Sequence, residues 1–255
     1  MAIQFGLKLW SINQSLLEEA VHLIEAREFS YIELMKVPGT DIQPFLDTDV
    51  PYIIHAVEVD IANPAHKKKS REIIKSSQIL ADQVNAPWII MHPLRGDVQK
   101  IAQFIYELQD PRILIENMPY FGLDLIPLAG STPKEIDYFC HESKCGFCLD
   151  LNHAVKAACA FEIPYKEYIT EFSLLNPTMY HLSDGTIDGG KDVHLSIGDG
   201  EYDMEFMMEI IRKQNTDAYV TLEVPKNYGD LREAKESKRK LASLKRISHN
   251  LSLPP

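Results

Sequence analysis

Eight short, β-rich apolar runs alternate with amphipathic helical stretches along the chain. The runs cover residues 3–10, 31–35, 51–55, 88–92, 112–116, 147–150, 179–182 and 219–224. Helical patterns fall between them at 14–27, 65–84, 98–107, 132–142, 204–213 and 230–248. Strands that alternate with helices usually pair in parallel through right-handed crossovers. The pattern therefore predicts an α/β fold, a single (β/α)8 barrel, with an open doubly wound sheet as the structural alternative.

The bulk properties fit one soluble barrel. No linker or low-complexity segment interrupts the 255 residues, so we expect one domain over 1–255, with a loose tail at 251–255. The formal net charge of −11 disfavours purely electrostatic nucleic-acid binding, although bound cations would offset part of it. No run approaches the roughly 20 apolar residues of a membrane span. Since the opening MAIQFGLKLW lacks a signal-peptide pattern, we predict a cytoplasmic protein without a membrane partner.

Metal-binding residue types stand at the carboxyl end of one predicted strand after another. They are His55, His92, Glu116, Asp150, His153, His181, Asp192, His194 and Glu223. In a barrel these ends converge on one mouth, where barrel enzymes carry out their chemistry. Carboxylates crowded into that mouth would repel one another and lose hydration unless cations compensate. Because mixed imidazole and carboxylate ligands suit zinc, with manganese or iron as alternatives, we predict a divalent metal site.

Seven segments carry a family resemblance. In unbroken order, IIHA, IIMHP, LIENMP, CLDLNHA, YHLSD, DVHLSIGDGE and LEVP resemble the signature segments of endonuclease IV. That enzyme is a metal-dependent apurinic/apyrimidinic endonuclease of AP endonuclease family 2, within the xylose-isomerase-like TIM-barrel superfamily. The resemblance runs from about the third strand to the eighth. All nine positions that bind the family's trinuclear zinc cluster hold the expected residue type.

The resemblance implies how up to three zinc ions would be held. His55 and His92 would bind the first and share Glu116 with the second. The second would also take Asp150, His181 and Glu223. His153, Asp192 and His194 would hold the third.

The implied activity is hydrolysis of a phosphate ester, with abasic sites in damaged DNA as the leading substrate. Clustered metal ions would lower the pKa of a bridging water, which gives hydroxide as the nucleophile at neutral pH. They would also polarise the phosphoryl oxygens and stabilise the leaving alkoxide. Glu116 or Glu223 would orient that nucleophile.

Two positions depart from the endonuclease IV pattern. Three and six residues after the third-strand histidine, that family has a tyrosine and an asparagine, which help to open the DNA. This chain has Glu58 and Ile61 there. A carboxylate repels the phosphate backbone and cannot stack on a base as an aromatic ring can. The predicted metal ligands are therefore complete, whereas the DNA-binding residues are altered.

Other residues near the predicted mouth offer further substrate contacts. Arg95 follows the fourth strand, where its guanidinium could bind a phosphate or form a structural ion pair. Tyr120 follows the fifth strand and could stack on a base or sugar, or pack within its loop. Trp10 falls in the first strand and is assigned to the core.

A second enzyme class uses part of the same ligand set. The superfamily's ketose epimerases and sugar isomerases bind one metal ion with the quartet Glu116, Asp150, His181 and Glu223. There, Glu116 and Glu223 would move protons on either side of a hydroxyketone, so the substrate would be a small sugar. The opening segments GLKLWS and YIELM are more similar to those enzymes. The additional ligands favour the hydrolase, because an isomerase has little use for a second and third metal ion.

Overall fold

Eight parallel strands form a closed barrel in the computed structural model, which describes residues 3–63, 65–187, 192–214 and 217–250 and side chains as far as residue 244. The strands are β1 (Gln4–Trp10), β2 (Tyr31–Met35), β3 (Tyr52–His55), β4 (Ile89–Met91), β5 (Ile113–Glu116), β6 (Gly146–Asp150), β7 (Met179–Leu182) and β8 (Tyr219–Leu222). Sequence neighbours pair with each other, and β8 closes on β1. The predicted barrel is confirmed and the open sheet is excluded. The predicted tail at 251–255 lies outside the described residues.

Helices surround the strands. They are α1 (Leu17–Glu25), α2 (Gln43–Leu46), α3 (Lys67–Gln83), α4 (Val98–Leu108), α5 (Pro133–Ser143), α6 (Leu151–Ala160), α7 (Tyr165–Ser173), α8 (Met204–Gln214) and α9 (Arg232–Asn250). Periodicity predicted six of these, but not α2, α6 or α7. Within the described ranges, no helix combines the length and the apolar character that a membrane span requires.

An apolar cluster fills the barrel interior below the mouth. Its buried members are Tyr31, Ile53, Ile90, Leu114, Cys148 and Met179. Gly6 on β1 leaves room for the Tyr31 ring, because a Cβ at Gly6 would lie 2.2 Å from a ring carbon. The opposite strand faces, for example Ile54 and Ile89, belong to the larger core that includes the helices. The barrel interior is therefore packed rather than open.

The functional side chains lie one layer above this apolar cluster. Side chains on a strand alternate between faces, so a residue two positions further on points to the same side. Two positions beyond the apolar layer, the sequence has Lys8, Glu33, His55, His92, Glu116, Asp150, His181 and Thr221. This regular step from apolar to polar places a ring of ionisable and polar groups at the carboxyl ends of the strands.

Candidate metal centre

All nine predicted ligands lie in one connected cluster at the carboxyl mouth. Glu116, which is fully buried, is at its centre. The rings of His55, His92, His153 and His181 each have a nitrogen within 3.0–3.3 Å of a Glu116 oxygen. Three of the remaining ligands contact these histidines, and His194 contacts Asp192. Asp150, Asp192, His194 and Glu223 complete the cluster.

The first predicted ion position has three well-placed ligand atoms. Nε2 of His55 and Nε2 of His92 lie 3.3 Å and 3.0 Å from Oε2 of Glu116. The ligand atoms of the three residues all lie within 4.8 Å of one another. Two ligands on one tetrahedral ion with bonds of 2.0–2.1 Å are about 3.3 Å apart. These side chains could therefore hold one ion without rearrangement of the backbone.

The other two predicted groups are also brought together. Nδ1 of His181 lies 3.2 Å from Glu116, 3.3 Å from Glu223 and 3.7 Å from Asp150. The two carboxylate oxygens of Asp192 contact two different imidazole rings. Oδ2 lies 3.2 Å from Nε2 of His153, and Oδ1 lies 3.2 Å from Nε2 of His194. The loop after β7 therefore brings its two predicted ligands to the same place as His153.

Each of the five histidines has an outer hydrogen-bond acceptor on one ring nitrogen. The pairs are His55 Nδ1 with Ala56 O (3.0 Å), His92 Nδ1 with Glu58 Oε1 (3.1 Å), His153 Nδ1 with Asn117 O (2.8 Å), His181 Nε2 with Glu33 Oε2 (2.9 Å), and His194 Nδ1 with Glu223 O (3.1 Å). Carbonyl and carboxylate oxygens only accept, so the outer nitrogen carries the proton. The inner nitrogen of each neutral ring then has a lone pair directed at the cluster. Metal-binding histidines have this arrangement.

Three buried atoms of the cluster also indicate a cation. Nε2 of His92, Nδ1 of His181 and Oε1 of Glu116 have no hydrogen-bond partner within the described part of the chain, although oppositely charged atoms are near. A buried polar atom without a partner is costly. Divalent ions at the first and second predicted positions would satisfy these three atoms, so the donor set and its geometry fit a metal centre of nitrogen and carboxylate ligands.

The same carboxylates attract protons to the imidazoles. Burial opposes protonation of His92, but Glu116 and Glu58 outweigh it and raise its pKa to about 9. Burial is likewise outweighed at His194, where Asp192 and Glu223 raise the pKa to about 9. At Asp150 burial dominates and raises the pKa to about 6. Protons and metal ions therefore compete for these side chains.

Lys8 and Glu33 belong to the centre, although the sequence analysis did not predict them. Nζ of Lys8 lies 2.5 Å from Oε1 of Glu33 and 2.7 Å from Oε1 of Glu223. Oε2 of Glu33 accepts hydrogen bonds from His181 and, at 2.5 Å, from Thr221. The available signal was a charged residue within each apolar run, GLKLWS and YIELM, at the period of the inward-facing positions.

Asn117 and Asp150 tie the ends of β5 and β6 together. The amide of Asn117 donates to Asp150 O at 2.9 Å and accepts from Asp150 N at 2.7 Å. Oδ1 of Asp150 also accepts from the backbone N–H of His153 at 2.7 Å, as the N-cap of α6. Asn152 donates to Oδ1 of Asp192 at 2.5 Å. Two asparagines of the predicted motifs thus hold ligands in position.

Asp184 organises the loop that carries Asp192 and His194. Its backbone pairs with Leu195 in both directions, at 3.0 Å and 2.8 Å. Its buried carboxylate accepts from the backbone N–H groups of Gly198 at 2.8 Å and Tyr202 at 3.2 Å. These contacts hold the segment with Asp192 and His194 at the mouth of the barrel.

The predicted substrate contacts differ in their placement. Glu58 lines the mouth cavity as the outer partner of His92. Arg95 forms an ion pair with Asp124 at 2.5 Å, and Tyr120 packs on Phe121 with ring centroids 4.5 Å apart. Neither Arg95 nor Tyr120 is among the residues that line the cavity. Substrate binding by these three residues stays a prediction.

The mouth cavity has a volume of about 470 Å³ and an aromatic and basic wall near the ends of β1 and β8. Trp10, Asn13 and Lys226 lie on this wall, and Lys8 lies deeper. The assignment of Trp10 to the core was wrong. Trp10 is 47% exposed, because it is the last residue of β1 and stands above the packed layer.

Comparisons with known proteins agree with the fold. The family model of the xylose isomerase-like TIM barrel, AP endonuclease family 2, matches residues 42–247. A D-tagatose 3-epimerase-like protein superposes with a TM-score of 0.72 and 20% identity, covering 97% of this chain and 99% of that one. Endonuclease IV from Thermus thermophilus superposes with a TM-score of 0.73 and 16% identity, with 96% and 99% coverage.

The IolI protein with a binding zinc atom superposes with a TM-score of 0.66 and 15% identity, with 97% and 99% coverage. No curated protein matches this chain. At these identities, the structural likeness establishes the fold alone.

Proposed function

Because the chain belongs to AP endonuclease family 2 of the xylose isomerase-like TIM barrels, we propose that it is a multinuclear metal-dependent hydrolase of phosphate esters. The observation that carries this proposal is the orientation of all five cluster histidines by outer acceptors. A single-metal enzyme needs such orientation at one histidine of its quartet, His181. The other four histidines have outer acceptors as well, which supports second and third ion positions.

The proposed centre has three cation positions. His55, His92 and Glu116 would form the first, Glu116, Asp150, His181 and Glu223 the second, and His153, Asp192 and His194 the third. Zinc suits this ligand set, as do manganese and iron. When bound, these ions would polarise a phosphoryl oxygen and supply hydroxide at neutral pH.

Glu116 and Glu223 have different parts in the proposed chemistry. Both oxygens of Glu116 face imidazole nitrogens of the proposed ligands, Oε2 towards Nε2 of His55 and of His92, and Oε1 towards Nδ1 of His181. Glu116 would therefore be shared by the first and second ions. Both residues line the cavity, but the Glu223 side chain is 12% exposed against 1% for Glu116, and its Oε2 has a longer contact, 3.5 Å to His194. Glu223 is thus better placed to orient the attacking nucleophile.

The cavity limits the substrate. A volume of about 470 Å³ admits a group of nucleotide or sugar-phosphate size. Trp10 offers a ring on which a base or sugar could stack, and Lys226 offers a cation for a phosphate. Glu58, with 57% of its side chain exposed, places a negative charge where a DNA backbone would approach. Small phosphate esters are therefore the first substrates to test, with damaged DNA second.

A single-metal sugar isomerase or epimerase is the alternative. The quartet Glu116, Asp150, His181 and Glu223 favours it, because its carboxylates surround one imidazole nitrogen. Lys8 argues against it. A carboxylate that accepts from an ammonium at 2.7 Å is a weaker base, so Glu223 is poorly suited to take a proton from a sugar carbon.

Metal content and activity together test the proposal. The protein would be saturated with zinc, manganese or iron, desalted, and analysed for bound metal. It would then be assayed with bis(p-nitrophenyl) phosphate, an abasic duplex and a panel of ketoses. We expect close to three ions per chain and metal-dependent ester hydrolysis. One ion per chain together with ketose epimerisation would replace the proposal with the alternative.

A further inference from the structure

Lys8 is a buried cation in the centre. Its side chain is 8% exposed, and its ammonium lies 2.5 Å from Glu33 and 2.7 Å from Glu223. Glu33 is fully buried and Glu223 nearly so. Two carboxylates at this depth need a compensating charge close by, because the loss of hydration is otherwise unfavourable. The ammonium supplies that charge from β1, a strand without any of the nine predicted ligands.

The groups around Lys8 have the composition of a metal site. Glu33, His55, His181 and Glu223 each offer a ligand atom, and these atoms all lie within 4.8 Å of one another. In the proposed centre His55 and His181 bind the first and second ions, so a further cation in this set would be held by the carboxylates of Glu33 and Glu223. The Lys8 ammonium contacts both carboxylates of the set, and therefore lies where a cation bound to them would lie.

We propose that Lys8 is a built-in cation of this centre: its ammonium occupies a fourth cation position between Glu33 and Glu223 and keeps a metal ion out of it. An ammonium is a compact charge with three N–H donors, so it can serve two carboxylates at once. Since it is attached to β1, it stays when the metal ions leave. Glu33 then keeps a neighbouring cation and remains the acceptor for His181. This inference rests on the proposed function, because it assumes that the other positions hold metal ions.

Removal of the ammonium tests the proposal without any substrate. Lys8→Ala and the wild-type protein would be saturated with Mn²⁺, desalted, and compared by elemental analysis. We expect Lys8→Ala to bind one more ion per chain, because a divalent ion replaces the lost charge. The double variant Lys8→Ala/Glu33→Gln should return to the wild-type count. Lys226→Ala is the matched control, since Lys226 lines the same cavity, and should leave the count unchanged.

Thermal unfolding with and without Mn²⁺ keeps the test decisive if the variant is unstable. An ion that binds only the folded state raises the unfolding temperature. We expect Mn²⁺ to raise that of Lys8→Ala more than that of the wild type. An unchanged ion count overturns the proposal, and so does a variant that stays unfolded at saturating Mn²⁺. The number of ions bound by the wild-type protein tests the multinuclear centre, whereas the difference in ion number between the variant and the wild type tests the role of Lys8.

Discussion

Nε2 of His181 donates a hydrogen bond to Oε2 of Glu33 across 2.9 Å, and this fixes which nitrogen of the ring faces the metal centre. The carboxylate can only accept, so Nε2 carries a proton and Nδ1 is the nitrogen that faces Glu116, Glu223 and Asp150. Glu33 thus positions His181, which is a proposed ligand in the quartet of both enzyme classes.

Substitution of Glu33 should weaken metal binding without removal of a ligand. We expect Glu33→Gln to lower metal affinity by about 10- to 100-fold, the effect typical of lost outer partners. Chelator competition at equilibrium measures it. Glu58→Gln removes the corresponding charge from His92, but Glu58 is largely exposed, so its effect should be smaller. Equal affinity in Glu33→Gln and the wild type would show that His181 needs no such support.

Asp192→Asn separates the two enzyme classes. Asp192 contacts His153 and His194 and lies outside the single-metal quartet. We expect this variant to lose one ion per chain and most phosphate ester hydrolysis, both measured on the saturated protein. Asp124→Asn is the control, because Asp124 pairs with Arg95 away from the cavity wall. Full metal content and full turnover in Asp192→Asn would contradict a third ion position.

The stability of the protein should depend on pH without metal and much less with metal. The pKa of His92 and that of His194 are raised to about 9 in the folded protein, against about 6.5 for an unfolded chain. A raised folded pKa gives stability that is complete below about 6.5 and is lost as the pH rises through about 9. The metal-free protein should therefore lose stability across this window.

Metal ions must displace those protons, so metal affinity should rise across the same window and offset that loss, which leaves the stability of the loaded protein nearly level there. Thermal unfolding measured with EDTA and with saturating Mn²⁺, at several pH values, checks both trends. Parallel slopes in the two series would mean that His92 and His194 do not bind the ions.

Glu58 should limit the binding of DNA. We expect Glu58→Gln to tighten binding to an abasic duplex by roughly two- to fivefold, since an exposed charge is worth up to about 1 kcal/mol. Fluorescence anisotropy at fixed salt concentration measures the effect. Asp124→Asn changes a half-exposed carboxylate outside the cavity and should have less effect. If Glu58→Gln left the affinity for the abasic duplex unchanged, electrostatic repulsion by Glu58 would not explain weak DNA binding.

Local patterns explain what the sequence could predict. The strands have β-rich apolar runs, and the proposed ligands stand at or after their ends, so both can be recognised without knowledge of the packing. Helix α6 was missed because nearly all of it is buried, as at Leu151, Ala154 and Ala157. A helix buried on all sides lacks the polar face that reveals a period.

The contacts of Lys8 could not be predicted because they depend on three strands. Lys8, Glu33 and Glu223 belong to β1, β2 and the end of β8, up to 215 residues apart. A charged residue within an apolar run signals burial, but not its partner. Arg95 illustrates the converse, because its position after β4 was correctly inferred while its partner, Asp124, was not.

The outer acceptors of the histidines determine how natural variation could adjust this centre. His55, His153 and His194 are oriented by main-chain carbonyls, which every amino acid at those acceptor positions retains. Only His92 and His181 rely on side chains, Glu58 and Glu33. Descendants of this sequence could therefore change metal affinity in small steps at two codons while all nine proposed ligands are inherited intact.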